Sequence, residues 1–245
     1  SPALQFLISW HGIAFSMGSF AMLMAATLPV IFWIGAKSRE LPAPEGESAQ
    51  AEKERLSDII RDAFRNRTYR LIFIGFSTCG FNMSIIESHL FSQFVSWGIS
   101  QNAASMVMMI YGIMTMLGAM ATGFLCMRFP MKNVLGTVYG LRVLISLSML
   151  LIPGSLPLAL IATGCLGATG DSTVPPTTGL ITREFGARKM AVYYGIALVG
   201  HQVGAFLSSS FGGICAEQFG TYAPLWAANA VLCAIAASAS YAIRR

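Results

Sequence analysis

The chain has 245 residues, of which 55% are hydrophobic and only 11% are charged, and its formal net charge is +5. An average soluble domain carries about 25% charged residues, so this composition excludes an ordinary soluble protein and indicates a membrane protein. The five cysteines include no C-x-x-C pair. This spacing argues against a zinc or disulfide framework, and we expect no metal site and no cofactor.

Apolar runs along the chain are long enough to cross a bilayer. A hydrocarbon core about 30 Å thick requires about 20 helical residues. We therefore predict an all-α membrane protein with seven transmembrane helices. The predicted spans are residues 10–35, 70–95, 103–126, 133–152, 156–181, 190–214 and 223–243.

The connection 37–69 is the one long polar segment. Its first part, SRELPAPEGESAQAEKE, is typical of a flexible linker. Its second part, RLSDIIRDAFRNR, predicts an amphipathic helix whose apolar residues lie on one face and whose charges lie on the other. The apolar face consists of Leu56, Ile59, Ile60, Ala63 and Phe64. Such a helix suits the inner membrane surface, and a solvated linker helix is the alternative.

The basic residues indicate the orientation of the chain in the membrane. Fifteen of the 16 lysines and arginines lie in or beside the connections on one side, and the exception is Arg142. The positive-inside rule then predicts an N-terminus outside and a C-terminus in the cytoplasm. Because topology explains the basic charge, we expect the lipid bilayer as a partner and no nucleic acid.

Two further patterns concern helix packing. Gly200, Gly204, Ser208 and Gly212 recur every fourth residue, which predicts a stripe of small side chains in contact with another helix. The adjacent prolines in GDSTVPPTTGL predict an interruption of the span 156–181, because each proline removes a helical hydrogen bond. Broken helices at membrane depth are frequent in transporters. A simple packing kink is the alternative.

One cytoplasmic loop carries a known signature. The segment GFLCMRFPMKNVL (123–135) resembles the loop motif G-x-x-x-D-R-x-G-[RK]-[RK] of the major facilitator superfamily. Gly123, Arg128 and Lys132 match that motif, whereas Met127 and Pro130 replace its acidic residue and its second glycine. By resemblance, the three matching residues belong to a loop that controls conformational change, although the usual charge relay lacks its acid.

A longer segment narrows the resemblance. Residues 172–226 are similar to the last helices of bacterial transporters in the monocarboxylate and oxalate/formate branch of that superfamily, and residues 79–100 resemble the seventh helix of the same branch. The resemblance implies that residues 70–245 form a C-terminal six-helix bundle, with 1–36 containing the sixth helix and 37–69 forming the central cytoplasmic loop. The preceding N-terminal half of five or six helices would then belong to the same gene product or to a separate chain.

Ionisable side chains at membrane depth are costly and usually functional. They are the candidates for proton coupling or buried charge: Glu87, Arg142, Asp171 and His201. Arg142 fits a structural charge pair with Asp171 or Glu87 better than it fits substrate binding. The candidates for lining a central cavity and binding substrate are Asn82, His89, Tyr194, His201 and Gln202. A hydrogen bond between helices is the alternative role for His201 and Gln202.

These observations favour one function and leave others open. We expect a secondary transporter that moves a small organic solute across the bacterial inner membrane. Protons are the possible second ion, which would make the transporter a symporter. The family resemblance favours a carboxylate, although spans three and six lack the basic residues that this branch uses for anions. The alternatives are a half-length interaction subunit or orphan fragment without transport, a seven-helix receptor, and copper transport through a methionine stripe (Met106, Met109, Met116 and Met120). No catalytic motif indicates an enzyme.

Overall fold

The computed structural model describes residues 2–40 and 56–244 of the chain. The chain divides into two compact units, Ser1–Asp58 and Ile59–Arg245. In the first unit, helix α1 spans Pro2–Glu40, and its backbone turns at Gly12, where φ is 79°. The stretch Gly12–Trp33 is apolar and long enough to cross a membrane. Residues 41–55, which include most of the predicted flexible linker, lie outside the described residues.

The second unit is a bundle of helices, and the described residues contain no β-strand. Two of its helices continue through one π-helical turn each, and one apolar span is divided by a 3-10 turn. The elements are α2 (Leu56–Arg65), α3 (Arg67–Ile85) with its π turn Ile86–Leu90, α4 (Phe91–Ser96), α5 (Gln101–Arg128), α6 (Met131–Leu151), α7 (Leu156–Thr169), the 3-10 turn Asp171–Thr173, α8 (Val174–Phe185), α9 (Ala187–Ile214) with its π turn Cys215–Phe219, and α10 (Ala223–Tyr241).

Six helical stretches are long and apolar enough to cross a membrane, rather than the seven predicted. The predicted span 156–181 is the exception, because it consists of α7 and α8, which are shorter than a membrane-crossing helix. The predicted interruption of this span is therefore present, and it lies at Gly170 and the 3-10 turn between α7 and α8.

Side-chain caps explain where several helices begin. The Ser100 and Ser155 hydroxyls accept hydrogen bonds from backbone N–H groups three residues ahead, at the starts of α5 and α7. The Asn66 side chain accepts a bond from the Tyr69 N–H at the start of α3. At Gly186 the backbone has φ of 82°, a conformation that glycine adopts without strain, and this residue separates α8 from α9.

The main helix contacts are α3 with α9, α6 with α10, and α5 with α7. The predicted small-residue stripe lies at the α3–α9 contact: Gly200, Gly204, Ser208 and Gly212 are all buried. A Cβ atom added to Gly204 would lie 2.1 Å from the Ser77 carbonyl oxygen. The prediction of a close helix contact is therefore confirmed. Small residues let helix backbones approach closely in lipid, where packing drives association.

The predicted amphipathic helix is present as α2. Ala63 is fully buried against the bundle, and the Phe64 ring lies 5.0 Å from that of Phe73 and 5.9 Å from that of Tyr69. Arg61, Asp62 and Arg65 on the other side are exposed. Part of the apolar face of α2 therefore packs on the bundle end that carries the starts of α3, α6 and α9, which we call the basic end.

Candidate functional site

The division between α7 and α8 exposes backbone polar groups inside the bundle. Gly170 ends α7 with ψ of −84°, and the 3-10 turn Asp171–Thr173 leads into α8. Pro175 and Pro176 lie in the first turn of α8, where a backbone N–H has no helical partner to lose. The prolines therefore follow the interruption instead of causing it within a helix, which corrects the expected position of the break.

Arg142 of α6 binds the carbonyl groups that the break leaves free. Its Nη2 donates to the Thr169 oxygen at 2.5 Å and to the Gly170 oxygen at 2.6 Å, and the side chain is fully buried. The guanidinium carbon also lies 5.5 Å from the centre of the Tyr139 ring, within cation–π range. This arrangement stabilises the broken backbone, because a buried carbonyl without a donor is costly.

The structure contradicts the expected pairing of Arg142 with Asp171 or Glu87. Both carboxylates belong to exposed residues, and no ion pair joins either of them to Arg142 within the described part of the chain. Asp171 begins the 3-10 turn, whereas Glu87 lies in the π turn after α3. The sequence analysis identified Arg142 correctly as a buried charge but predicted the wrong partner for it. Its partners are peptide carbonyls, which every residue carries and which a search for charged side chains does not find.

Helix α5 forms one wall beside the break. A Cβ atom added to Gly170 would lie 3.3 Å from both the Thr115 hydroxyl and the Tyr111 hydroxyl. Tyr111 is partly exposed and donates from its hydroxyl to the sulfur of Met83 at 3.4 Å. Hydroxyl and thioether groups from α3 and α5 therefore border the break next to Asp171.

Helix α9 forms a second wall. The His201 ring lies 5.0 Å from the Phe76 ring, and the Tyr194 ring lies 5.4 Å from the same phenylalanine. His201 Nδ1 is 3.2 Å from the side-chain oxygen of Gln202. His201 and Tyr194 are both half-buried, so each keeps a solvent-accessible edge.

Cys79 connects this wall to the break. Its thiol lies 3.2 Å from the Thr173 hydroxyl and also interacts with Arg142 and His201. The structure thus gathers four predicted site residues, Arg142, Asp171, Tyr194 and His201, around the break and the neighbouring turn of α3. Polar and aromatic side chains therefore meet here, with Arg142 fully buried, Tyr194 and His201 half-buried, and Asp171 exposed.

Other predicted residues lie elsewhere. Asn82 is fully buried, and neither of its side-chain polar atoms has a partner among the described residues, so it does not border an open cavity. His89 lies in the π turn, where its Nε2 is 3.0 Å from the Ser209 carbonyl oxygen and its ring packs on Gly212. Regular helical spacing would place Asn82 and His89, which are seven residues apart, on one face, but the π turn that contains His89 interrupts this spacing.

The loop-signature residues lie at the basic end, away from the break. Lys132 Nζ donates to the Ile243 carbonyl oxygen at 2.9 Å, where the cation binds the end of α10. Arg128 is exposed in the last turn of α5, and Gly123 lies one turn earlier with open space where a Cβ would be. Pro130, which departs from the motif, is the N-cap residue of α6.

Sequence reasoning missed the side chains that border the site without being strongly ionisable. They are Phe76, Cys79, Met83, Tyr111 and Thr115. The spacing of Phe76, Cys79 and Met83, at i, i+3 and i+7, places them on one face of α3 and could have identified one wall. Nothing in the sequence distinguishes Thr115 from its neighbours.

The comparison with protein families agrees with this architecture. A family model, the Major Facilitator Superfamily, matches residues 90–245, which is more than half of the chain. The chain belongs to the major facilitator superfamily. Members of this superfamily are membrane transporters, and the membership supports membrane transport of a solute as the activity of this chain. No curated protein matches the chain at a significant level.

Proposed function

We propose that this member of the superfamily is a secondary active transporter of a small organic carboxylate, and that the face around the α7–α8 break is its solute-binding surface. One observation carries the choice of an anion. Arg142 is the single lysine or arginine away from the helix ends in residues 67–241, and it lies directly at the break. A buried guanidinium without a carboxylate partner makes its surroundings favourable for negative charge.

His201 is proposed as the group that couples solute binding to protons. Its half-buried ring lies beside Phe76 and can both hydrogen-bond a carboxylate and exchange a proton near neutral pH. Asp171, which is exposed at the break, is a second candidate for proton exchange, and Gln202 a second candidate for solute contact. The basic end is proposed to face the cytoplasm of a bacterial inner membrane, by the positive-inside rule.

The test separates solute contact from proton coupling. In proteoliposomes containing the complete transporter, His201→Ala should abolish carboxylate uptake, because both the hydrogen bond and the proton site are lost. His201→Gln should retain solute exchange but lose accumulation driven by a pH gradient, because accumulation requires a group that changes charge between the two faces. Phe206→Leu, an exposed change on the same helix, is the matched control.

Three outcomes would contradict the proposal. Accumulation at the wild-type rate in His201→Gln would remove the proton role. Exchange at the wild-type rate in His201→Ala would leave His201 as a contact between helices. Failure of the wild-type protein to move any carboxylate, with uptake of a neutral solute instead, would reject the proposed substrate class.

A second proposal concerns what covers the outer helices. The exposed faces of α5 and α9 are apolar, with Met106, Met116 and Phe206 each more than half exposed. Such faces suit lipid or the N-terminal half of a complete transporter, and a half-length subunit that binds another membrane protein would use the same surfaces.

Copper transport through the methionine stripe is less favoured, because its four methionines lie on this outer face, away from the break.

A further inference from the structure

The interior of the bundle contains a second group of unsatisfied polar atoms behind the break. Arg142 uses Nη2 for the two carbonyls, whereas its Nε and Nη1 have no hydrogen-bond partner among the described residues. Asn82 is fully buried, and its Oδ1 and Nδ2 are likewise unpartnered in the described part of the chain. Buried donors without partners are rare in folded proteins.

The helix register brings these two side chains to the same region. Helices α3 and α6 both begin at the basic end and therefore run parallel. The Tyr139 hydroxyl donates to the Gly75 oxygen, and one turn further Arg142 meets Cys79. The next residue on that face of α3 is Asn82, which the same offset places at the level of Ser146.

Ser146 cannot satisfy Asn82, because its hydroxyl is already engaged. It donates to the Arg142 backbone oxygen at 2.7 Å and accepts from the Asn229 side chain at 2.8 Å. The Cys79 thiol, a weak acceptor, lies beside Arg142, but Nε and Nη1 of Arg142 and the Asn82 side chain have no oxygen or nitrogen acceptor among the described residues. The region behind the break is therefore a cluster of N–H donors around a positive charge that no carboxylate neutralises in the described part of the chain.

We propose that Arg142 and Asn82 form an occluded binding site for one small monovalent anion. Water could accept the same hydrogen bonds, but it carries no charge, whereas a guanidinium within the apolar bundle requires a negative partner to offset its desolvation. An anion accepts from Nε, Nη1 and the asparagine Nδ2 together. The ligand is either a free halide or the carboxylate group of the transported solute, and only the second possibility rests on the proposed function.

The test measures thermal unfolding of the purified chain in detergent at constant ionic strength. Bromide or formate replaces gluconate, which is too large for an occluded site. A ligand that binds only the folded state raises the melting temperature in a saturable manner. We expect this rise with both small anions, and an increase of at least tenfold in the half-maximal anion concentration in Arg142→Gln and in Asn82→Leu. Arg188→Gln, which removes an exposed cation at the start of α9, should leave the response unchanged.

Asn82→Asp provides an internal replacement for the anion. Its carboxylate should neutralise Arg142, so this variant should melt higher than the wild type in gluconate and show no further response to bromide or formate. If Arg142→Gln does not fold, the two Asn82 variants still decide the question. A melting temperature of the wild type that is indifferent to both anions would overturn the proposal and favour bound water or Cys79 as the partner of Arg142. An equal anion response in Asn82→Leu and the wild type would also overturn it.

Uptake measurements in proteoliposomes distinguish the two sources of the anion. If the site takes the carboxylate of the solute, bromide should inhibit uptake competitively. If it holds a resident halide, uptake should require bromide or chloride. The unfolding experiment does not depend on either result, so failure of the proposed transport activity and failure of the anion site can be told apart.

Discussion

The α3–α9 contact and the α7–α8 break stabilise the same bundle by opposite means. At the contact, glycines allow the two backbones to approach closely: a Cβ atom on Gly80 would lie 1.8 Å from the His201 carbonyl oxygen. At the break, a long side chain is essential, because Arg142 reaches across from α6 to bind two carbonyls. The contact therefore depends on volume, and the break depends on charge and hydrogen bonding.

The comparison predicts different sensitivities to mutation. An added methyl group should be severe at the contact, since the atoms it meets are backbone atoms that cannot move aside. At the break, changes in size should matter less than loss of the cation. The following variants, in order of expected effect, would sharpen this difference or remove it.

Gly204→Leu should have the largest effect. Its Cβ would already lie 2.1 Å from the Ser77 oxygen, and overpacking that forces backbones apart costs about 1–3 kcal/mol or more. We expect almost no monodisperse protein in size-exclusion chromatography. The matched control is Gly195→Leu on the same helix, because no atom lies within 4 Å of a Cβ there. Equal yields from the two variants would show that the contact is not tightly packed.

Arg142→Leu should have the next largest effect. The substitution leaves the Thr169 and Gly170 carbonyls without their donor, and each buried unsatisfied group costs about 1–3 kcal/mol. We expect a loss of about 2–5 kcal/mol in the free energy of unfolding, measured by thermal unfolding in detergent. Arg142→Lys keeps the charge as a single compact donor group and should lose less. A loss as great for lysine as for leucine would mean that the guanidinium geometry, rather than the charge, stabilises the break.

These two regions also show which features of the structure could be predicted from the sequence and which could not. The contact was predicted because its signal is local: four small residues at one helical spacing define a face regardless of the partner helix. Long apolar runs predicted most of the spans for the same reason. The partner helix itself, α3, could not be predicted, since small residues accept any neighbour of suitable shape.

The break was predicted only in part. The two prolines indicated an interruption, but its position depends on which carbonyls find a donor, and that donor comes from another helix. The partner of Arg142 followed from tertiary structure alone. The π turn at Ile86–Leu90 had no sequence signal either, and it displaced His89 from the site to a contact with the Ser209 carbonyl.

Asn66 connects the two regions at the basic end, and its variants should have the smallest effect. Its Oδ1 accepts from the Tyr69 N–H at the start of α3, while its Nδ2 donates to Glu184 near the end of α8 at 2.7 Å. Loss of an N-cap costs about 1 kcal/mol, so Asn66→Ala should lower the melting temperature of a chain of this size by about 3 °C. Asn66→Ser keeps a capping oxygen but is too short to reach Glu184. Because hydrogen bonds at exposed positions contribute little, the serine variant should melt within about 1 °C of the wild type. A large loss in Asn66→Ser would instead mean that the link to Glu184 holds α8 against α3, and that the break and the contact are stabilised together at this end of the bundle.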